Sequence, residues 1–158
     1  RPTAGRAAER RRARLPDRGG LAGRATFDHV MEERVMDIRS TLAALCDAFN
    51  AHDLDRIMAF FADDCVLEMP RGEMPWGARF EGKAAVRRAL ATRFEGLPDV
   101  HYGDAEHFVD EAGSAGISKW LLTGTTPDGT RKVVRGCDFY TFLDGKVIRK
   151  DSYWKLVE

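Results

Sequence analysis

The amino-acid sequence predicts an α+β fold. Three helical patterns, interleaved with one short strand, fill the region from residue 28 to residue 95, and four strand patterns follow over 100–154. Strands that succeed one another in this way form one twisted sheet, and the helices can cover only one of its faces. We therefore expect a curved, antiparallel (mixed) sheet that packs against three N-terminal helices, with a pocket between sheet and helices.

The three helices are predicted from apolar residues that recur at helical spacing. The first extends over 28–51 and is the longest. The second is short and extends from its N-cap residue Asp53 to residue 62. The third covers 82–95, and its arginines indicate a solvated face.

The short strand is predicted at 65–69, and the loop that follows it at 71–81 is unusually apolar. It contains Met74, Trp76 and Phe80, which an ordinary solvated connection would not carry. We expect this loop to fold over the pocket.

Two strands, at 100–109 and 114–125, lead into a long β-hairpin at 133–154. The turn of this hairpin is predicted at Asp144-Gly145, a dipeptide suited to the positive φ angles of a two-residue type I′ turn.

The register of the hairpin sets charged side chains opposite one another. Counting outward from the turn sets Tyr140 opposite Arg149 and Asp138 opposite Asp151 on one face. Like charges directly opposite destabilise a sheet, so the two aspartates require a shared proton, a neutralising partner or open solvent. If this face lines the pocket, Asp138 and Asp151 form a buried pair of general acid and base that Arg149 and Tyr140 tune. If it is the outer face, the aspartates and Arg149 form an ordinary surface ion-pair cluster.

Apolar and aromatic residues are predicted to contact a ligand in the pocket. Met69 supplies a flexible apolar surface, and the aromatic rings supply area with polar tips that can form hydrogen bonds. The predicted ligand-binding residues are Met69, Trp76, Phe80, Trp120 and Tyr153. The alternative is that these side chains are core residues that fill the pocket.

Charge is unevenly distributed along a chain whose net charge is zero. The first 25 residues hold eight arginines against Glu9 and Asp17, a net charge of +6, so residues 26–158 carry a net charge of −6. An acidic body argues against nucleic-acid binding, which uses a basic surface. No apolar run approaches the roughly 20 residues that a membrane helix needs, so we predict no membrane partner.

The sequence divides into a leader and one domain. Residues 1–27 lack apolar periodicity and are rich in Arg, Ala and Gly, which predicts a disordered basic leader, and 28–158 form the single domain. Three interpretations of the leader are open: a non-native or wrongly started segment, a basic arm that contacts nucleic acid or acidic lipid, or a targeting peptide.

The cysteines and histidines indicate no metal site. Cys46, Cys65 and Cys137 are odd in number and widely spaced, and the four histidines are scattered. We therefore predict no metal and no cofactor. Reduced cysteines are typical of a cytoplasmic protein.

Four stretches of the sequence, at 49–55, 60–66, 80–83 and 138–148, resemble the nuclear transport factor 2-like superfamily. The similarity is to its SnoaL-like and ketosteroid-isomerase-like branches and covers roughly 34–157. It implies the cone-shaped fold, a small hydrophobic ligand and, as in many relatives, a homodimer formed through the sheet. The superfamily hosts isomerases, cyclases, dehydratases, hydrolases and non-enzymatic binding domains, so the fold does not decide the activity.

The branches differ in the residues they require. In ketosteroid isomerases a protonated aspartic acid of the penultimate strand corresponds to Asp138, but the base falls on Met69 and the oxyanion tyrosine on Leu45, which transfer no protons. In limonene-epoxide-hydrolase-like members one aspartate corresponds to Asp151, but the Arg-x-Asp of the middle strand falls near 118–120, which reads Ser-Lys-Trp here. SnoaL-like cyclases need only an aspartate and a polar neighbour in an apolar pocket, so this chain departs least from that branch.

Three functions follow from these observations. The first is a cofactor-independent enzyme of the polyketide-cyclase or isomerase type, in which Asp138 and Asp151 handle protons on a small hydrophobic molecule that bears a carbonyl or hydroxyl group. The second is a non-catalytic protein that binds such a ligand without turnover. The third is a scaffold dimer with a collapsed pocket.

Overall fold

The computed structural model describes residues 20–110 and 112–157. Its elements follow one another in nearly the predicted order. They are α1 Gly20–Asn50, α2 Leu54–Ala59, β1 Phe61–Glu68, β2 Arg79–Glu81, α3 Lys83–Gly96, β3 His101–Val109, β4 Ala115–Thr125, β5 Arg131–Leu143 and β6 Lys146–Trp154.

The six strands form one mixed sheet in the order β2-β1-β6-β5-β4-β3. All neighbouring pairs are antiparallel except β1 and β6, which are parallel. Helix α1 packs against β3 and β4, and α3 packs against β1 and β2. The predicted α+β class with a mixed sheet and helices on one face is therefore confirmed.

The core fills the space between the helices and the inner face of the sheet. Its largest fully buried apolar side chains come from α1, α2, α3 and the strands, and include Leu42, Leu45, Ile57, Phe61, Leu67, Val86, Leu122 and Val147. Burial of these side chains stabilises the packing of helix on sheet, at about 1.5 to 3 kcal/mol for each large apolar residue.

Helix α1 begins at Gly20 and is 31 residues long, so residues 20–27 of the predicted leader belong to this helix. Residues 1–19, the rest of the predicted leader, lie outside the described part of the chain. The three interpretations of the leader therefore stay predictions. Within the described residues, no helix is both long and apolar enough to cross a membrane.

The turn of the hairpin is the predicted one. Asp144 and Gly145 have φ angles of 50° and 73°, which a type I′ turn requires. The first two cross-strand pairs, Leu143 with Lys146 and Phe142 with Val147, are also as predicted.

Beyond these two pairs the predicted register is wrong, because β6 contains a β-bulge at Ile148. Thr141 pairs with Arg149, and Asp138 pairs with Ser152 instead of Asp151. One extra residue in one strand exchanges the faces of all side chains beyond it. The bulge thus turns Lys150 and Ser152 toward the helices, and it turns the neighbouring Asp151 to the outer face of the sheet.

Candidate functional site

A small cavity lies between the inner face of the sheet and the helices. Its volume is about 30 Å³, which accommodates water or the end of a ligand but not a whole one. We call this cavity the inner chamber. The residues with polar atoms that line it are Cys46, Arg93, Tyr102, Ser118, Trp120, Asp138, Tyr140, Lys150, Ser152 and Trp154. Apolar side chains of α1 and α3, among them Leu42, Phe49 and Leu90, and Met69 directly after β1 contribute to the rest of its wall.

The carboxylate of Asp138 is the centre of the inner chamber. Its Oδ1 accepts hydrogen bonds from Lys150 Nζ at 2.5 Å and from Ser152 Oγ at 2.6 Å. Its Oδ2 accepts from Trp120 Nε1 at 3.0 Å and, more weakly, from the Tyr140 hydroxyl at 3.4 Å. All five residues are buried, none being more than 6% exposed. A charged pair so far from solvent needs such hydrogen bonds to offset its desolvation.

Burial perturbs two of the groups that contact Asp138. It lowers the pKa of Lys150, and the carboxylate of Asp138 opposes this effect. Burial also raises the pKa of Tyr140 well above its ordinary value, and the nearby charge of Asp138 raises it further. Tyr140 therefore keeps its proton at neutral pH and acts as a hydrogen-bond donor, and Lys150 releases a proton more readily than a lysine on the surface.

A second, larger cavity adjoins the inner chamber, and we call it the outer vestibule. It has a volume of about 390 Å³, and its lining includes Pro70, Arg71, Phe80, Arg88 and Thr92. Met69, Arg93 and Trp154 line both cavities and so form the border between them. At this border the guanidinium of Arg93 lies 4.4 Å from the centroid of the Trp154 ring.

The structure brings together some of the predicted site residues. Asp138, Tyr140, Trp120 and Met69 line the inner chamber, and Phe80 lines the vestibule beside it. Trp76 lies in the loop before β2, is 49% exposed and lines neither cavity.

The predicted placement of Asp151, Arg149 and Tyr153 beside Asp138 is wrong. They lie on the outer face of the sheet, where the Tyr153 hydroxyl donates to Asp151 Oδ2 at 3.0 Å. Arg149 Nε donates to Glu68 Oε2 at 3.1 Å, and Arg79 Nη1 lies 3.0 Å from Glu68 Oε1. Arg149 and Asp151 thus form the outer-face ion pair of the alternative interpretation, but Asp138 is not part of it, because the bulge at Ile148 places the two aspartates on opposite faces.

Sequence reasoning missed Lys150 and Ser152, which it assigned to the opposite face from Asp138. Simple alternation from the turn gives that assignment, and only an extra residue in β6 corrects it. The one available signal is the adjacent apolar pair Val147 and Ile148, which interrupts alternation at the position of the bulge.

The described residues contain no group of three or more His, Cys, Asp or Glu side chains arranged to hold a metal ion. The titratable groups that meet at the centre of the inner chamber are instead the Asp138 carboxylate, the Lys150 ammonium and the Tyr140 phenol. Such a set can hold a polar group of a ligand and exchange protons with it.

A model of the SnoaL-like domain matches residues 42–150. The chain belongs to the SnoaL-like domain family. The match begins in the second half of α1 and ends at Lys150, so it includes Asp138, Tyr140 and Lys150. The resemblance to the nuclear transport factor 2-like superfamily is thereby confirmed.

Solved structures with the same fold include proteins of different described activities. A candidate polyketide cyclase from Xanthomonas campestris is 21% identical, covers 77% of this chain and 93% of its own, and has a TM-score of 0.69. A candidate isomerase from Bacillus subtilis is 18% identical, with coverages of 79% and 88% and a TM-score of 0.65. A Mycobacterium tuberculosis protein in complex with estradiol-17β-hemisuccinate is 25% identical, with coverages of 78% and 95% and a TM-score of 0.64. No curated protein matches the chain.

Proposed function

We propose that this SnoaL-like protein binds a small, largely apolar molecule and moves protons at a carbonyl or hydroxyl group of that molecule, in the manner of the cyclase and isomerase branch. The observation that carries the proposal is the buried carboxylate of Asp138, held among Lys150, Ser152, Trp120 and Tyr140 at the inner end of a cavity.

The chemistry follows from what these groups donate and accept. A carbonyl oxygen at the mouth of the inner chamber accepts a hydrogen bond from the Tyr140 hydroxyl or the Lys150 ammonium, which stabilises negative charge as it develops on that oxygen. Asp138 takes the proton from the carbon next to the carbonyl and returns it to another atom of the same molecule. Because the proton is only moved, no cofactor is consumed.

The sizes of the two cavities support this placement of the ligand. The inner chamber, at about 30 Å³, admits only the reacting end of a molecule. The vestibule, at about 390 Å³, lies within the size range of ligand pockets and has room for the apolar body. The structural neighbour from Mycobacterium tuberculosis, solved with a steroid ester, is consistent with an apolar ligand for this fold.

The second candidate is a binding protein without turnover, and one observation favours it. Both oxygens of Asp138 already accept two hydrogen bonds each, which occupies the four acceptor positions of a carboxylate and leaves none for a proton of the ligand. In that case Asp138 and Lys150 only shape the end of the pocket.

Hydrogen–deuterium exchange at a simple ketone separates the two candidates. 2-Tetralone in D₂O is incubated with the protein, and loss of its α-proton signals is followed by nuclear magnetic resonance. The enzyme proposal expects exchange above the buffer rate, and Asp138→Asn is expected to reduce that excess about 100-fold. If the ketone binds to the wild-type protein without added exchange, the protein is a binder and the enzyme proposal fails.

We also propose that two copies associate through the outer face of the sheet. Phe108, Phe139 and Tyr153 are 50%, 45% and 54% exposed there and line one hollow of about 600 Å³. Covering these rings removes apolar area from water. Light scattering should give the mass of a dimer for the wild-type protein and of a monomer for Phe139→Asp, and a monomeric wild type would exclude the dimer.

A cytoplasmic location is proposed from the cysteines. Cys46, Cys65 and Cys137 are free thiols, and reducing compartments favour unpaired cysteines. Cell fractionation of the tagged protein tests this location.

A further inference from the structure

Three arginines line the outer vestibule without an acidic partner. Arg71 comes from the loop after β1, and Arg88 and Arg93 come from α3. Among the described residues, no Asp or Glu lines this cavity and none forms a salt bridge with these three side chains.

Several other arginines of the domain are paired. Arg79, Arg87 and Arg149 each form a salt bridge with a carboxylate. Residues 26–158 carry a net charge of −6, so acidic side chains are in excess over the domain. In such a domain, most arginines are expected to find a carboxylate by chance. Three unpaired arginines around one hollow therefore need a specific explanation.

Two of these guanidinium groups converge on one aromatic ring. Arg93 lies 4.4 Å and Arg71 lies 6.0 Å from the centroid of Trp154. Each is attracted to the ring, but the two like charges repel each other. An anion placed between them removes that repulsion. A planar guanidinium also offers two parallel N–H donors, which match the two oxygens of a carboxylate.

We infer that the outer vestibule is a subsite for an anionic group and that the ligand is an apolar molecule bearing one carboxylate. The carboxylate binds among Arg71, Arg88 and Arg93. The apolar body packs on Phe80 and Trp154, and the opposite end reaches Asp138 in the inner chamber. This inference rests on the proposed function, because it names the ligand class of the same pocket.

Matched probes that differ only in charge test the inference. 1-Naphthaleneacetate and 1-naphthaleneacetamide have nearly the same size and shape, and only the first carries a carboxylate. Binding of each to the full chain is measured by isothermal titration at low ionic strength. The acetate is expected to bind at least about tenfold more tightly, and its advantage should shrink as salt is added, because salt screens exposed charges.

Substitutions locate the charge preference. Arg88→Gln and Arg71→Gln are expected to weaken the acetate and leave the acetamide unchanged, and Arg88→Lys should retain most of the preference because it keeps the charge. Arg56→Gln is the matched control, since Arg56 is exposed and forms no salt bridge within the described residues. Arg135→Gln controls for binding in the hollow on the outer face of the sheet, which Arg135 lines.

The outcomes separate the subsite from the pocket itself. Equal binding of the two probes overturns the anionic subsite and leaves the proposed function intact. Loss of the preference in Arg135→Gln, or its persistence in both Arg71→Gln and Arg88→Gln, also overturns the subsite because the anion then binds elsewhere. If neither probe binds, the subsite is overturned and the proposed apolar pocket is contradicted with it.

Discussion

Lys150 donates to Asp138 at 2.5 Å across two neighbouring strands, whereas Asp151, the next residue in the chain, lies on the opposite face of the sheet. Both members of the pair are buried, at 6% and 5% exposure. Ser152 connects them, accepting from Lys150 Nζ at 2.6 Å and donating to Asp138 Oδ1 at 2.6 Å. The pair is therefore a unit of the core as well as the centre of the candidate site.

Removing Lys150 alone should destabilise the protein strongly. Lys150→Met leaves Asp138 buried without its cation, and breaking a buried pair in this way typically costs about 3 to 5 kcal/mol of unfolding free energy. The double variant Asp138→Asn with Lys150→Met should recover most of the loss, because no unpaired charge remains. Urea denaturation of the wild-type, two single and double variants gives the coupling energy. Additive losses would show that the two groups do not stabilise each other.

Asp151 and Asp138 should differ sharply in their effect on ligand chemistry. Asp151 is on the outer face and contacts Tyr153 and Arg149, so Asp151→Asn is expected to change 2-tetralone exchange by less than about twofold and stability by less than about 1 kcal/mol. Asp138→Asn should reduce the excess exchange about 100-fold. Both variants are measured in the same nuclear magnetic resonance assay. Equal losses of exchange in the two variants would indicate that both aspartates act at one site, which would contradict the observed register.

The predicted and observed sites differ because of one extra residue in β6, Ile148. The turn at Asp144-Gly145 depends on local backbone preferences, so the sequence predicts it. The bulge at Ile148 lies where the distant strand β1 joins β6: Phe61 pairs with Val147, and the register between these strands shifts before the next pair. That pairing is non-local, so within the hairpin sequence only the adjacent apolar residues Val147 and Ile148 mark the position of the bulge.

The element order and the importance of Asp138 could be predicted because they depend on local sequence. A few neighbouring residues are enough to show helical periodicity, the N-cap at Asp53 and the alternation of β5. The family resemblance added the position of Asp138, which lies on β5 and not on the bulged strand. Lys150 and Ser152 lie beyond the bulge, so local patterns assigned them to the wrong face.

Gly136 should tolerate no side chain. A Cβ at this position would lie 2.4 Å from Trp120 Cη2 and 2.5 Å from the Tyr153 carbonyl oxygen. Trp120 would have to move, which weakens its hydrogen bond to Asp138. We expect Gly136→Ala to lower the unfolding free energy by about 1 to 3 kcal/mol, in the range of overpacked cores.

Gly96 provides the control for that substitution. A Cβ there meets no atom within 4 Å, and the residue ends α3. Gly96→Ala is therefore expected to be neutral or slightly stabilising in the same thermal or urea melts. Equal destabilisation by both alanines would indicate a backbone effect rather than the predicted clash at Trp120.

Tyr140 should make the protein less stable at alkaline pH. Burial raises its pKa in the folded state, so its contribution to stability is fully present below the pKa near 10 of an unfolded tyrosine and is lost as the pH rises above it. Over that range the unfolded chain releases a proton that the folded chain retains. Each such proton costs about 1.4 kcal/mol of unfolding free energy per pH unit.

The variant Tyr140→Phe isolates this effect. Tyr102 is also buried with a raised pKa and remains in the variant, so the alkaline loss of stability should become shallower without disappearing. Urea denaturation at intervals between about pH 9 and pH 11 measures the slope, which should fall by one proton's worth, about 1.4 kcal/mol per pH unit. Identical slopes for wild type and variant would mean that Tyr140 ionises as readily in the folded chain as in the unfolded one, and burial would then not raise its pKa.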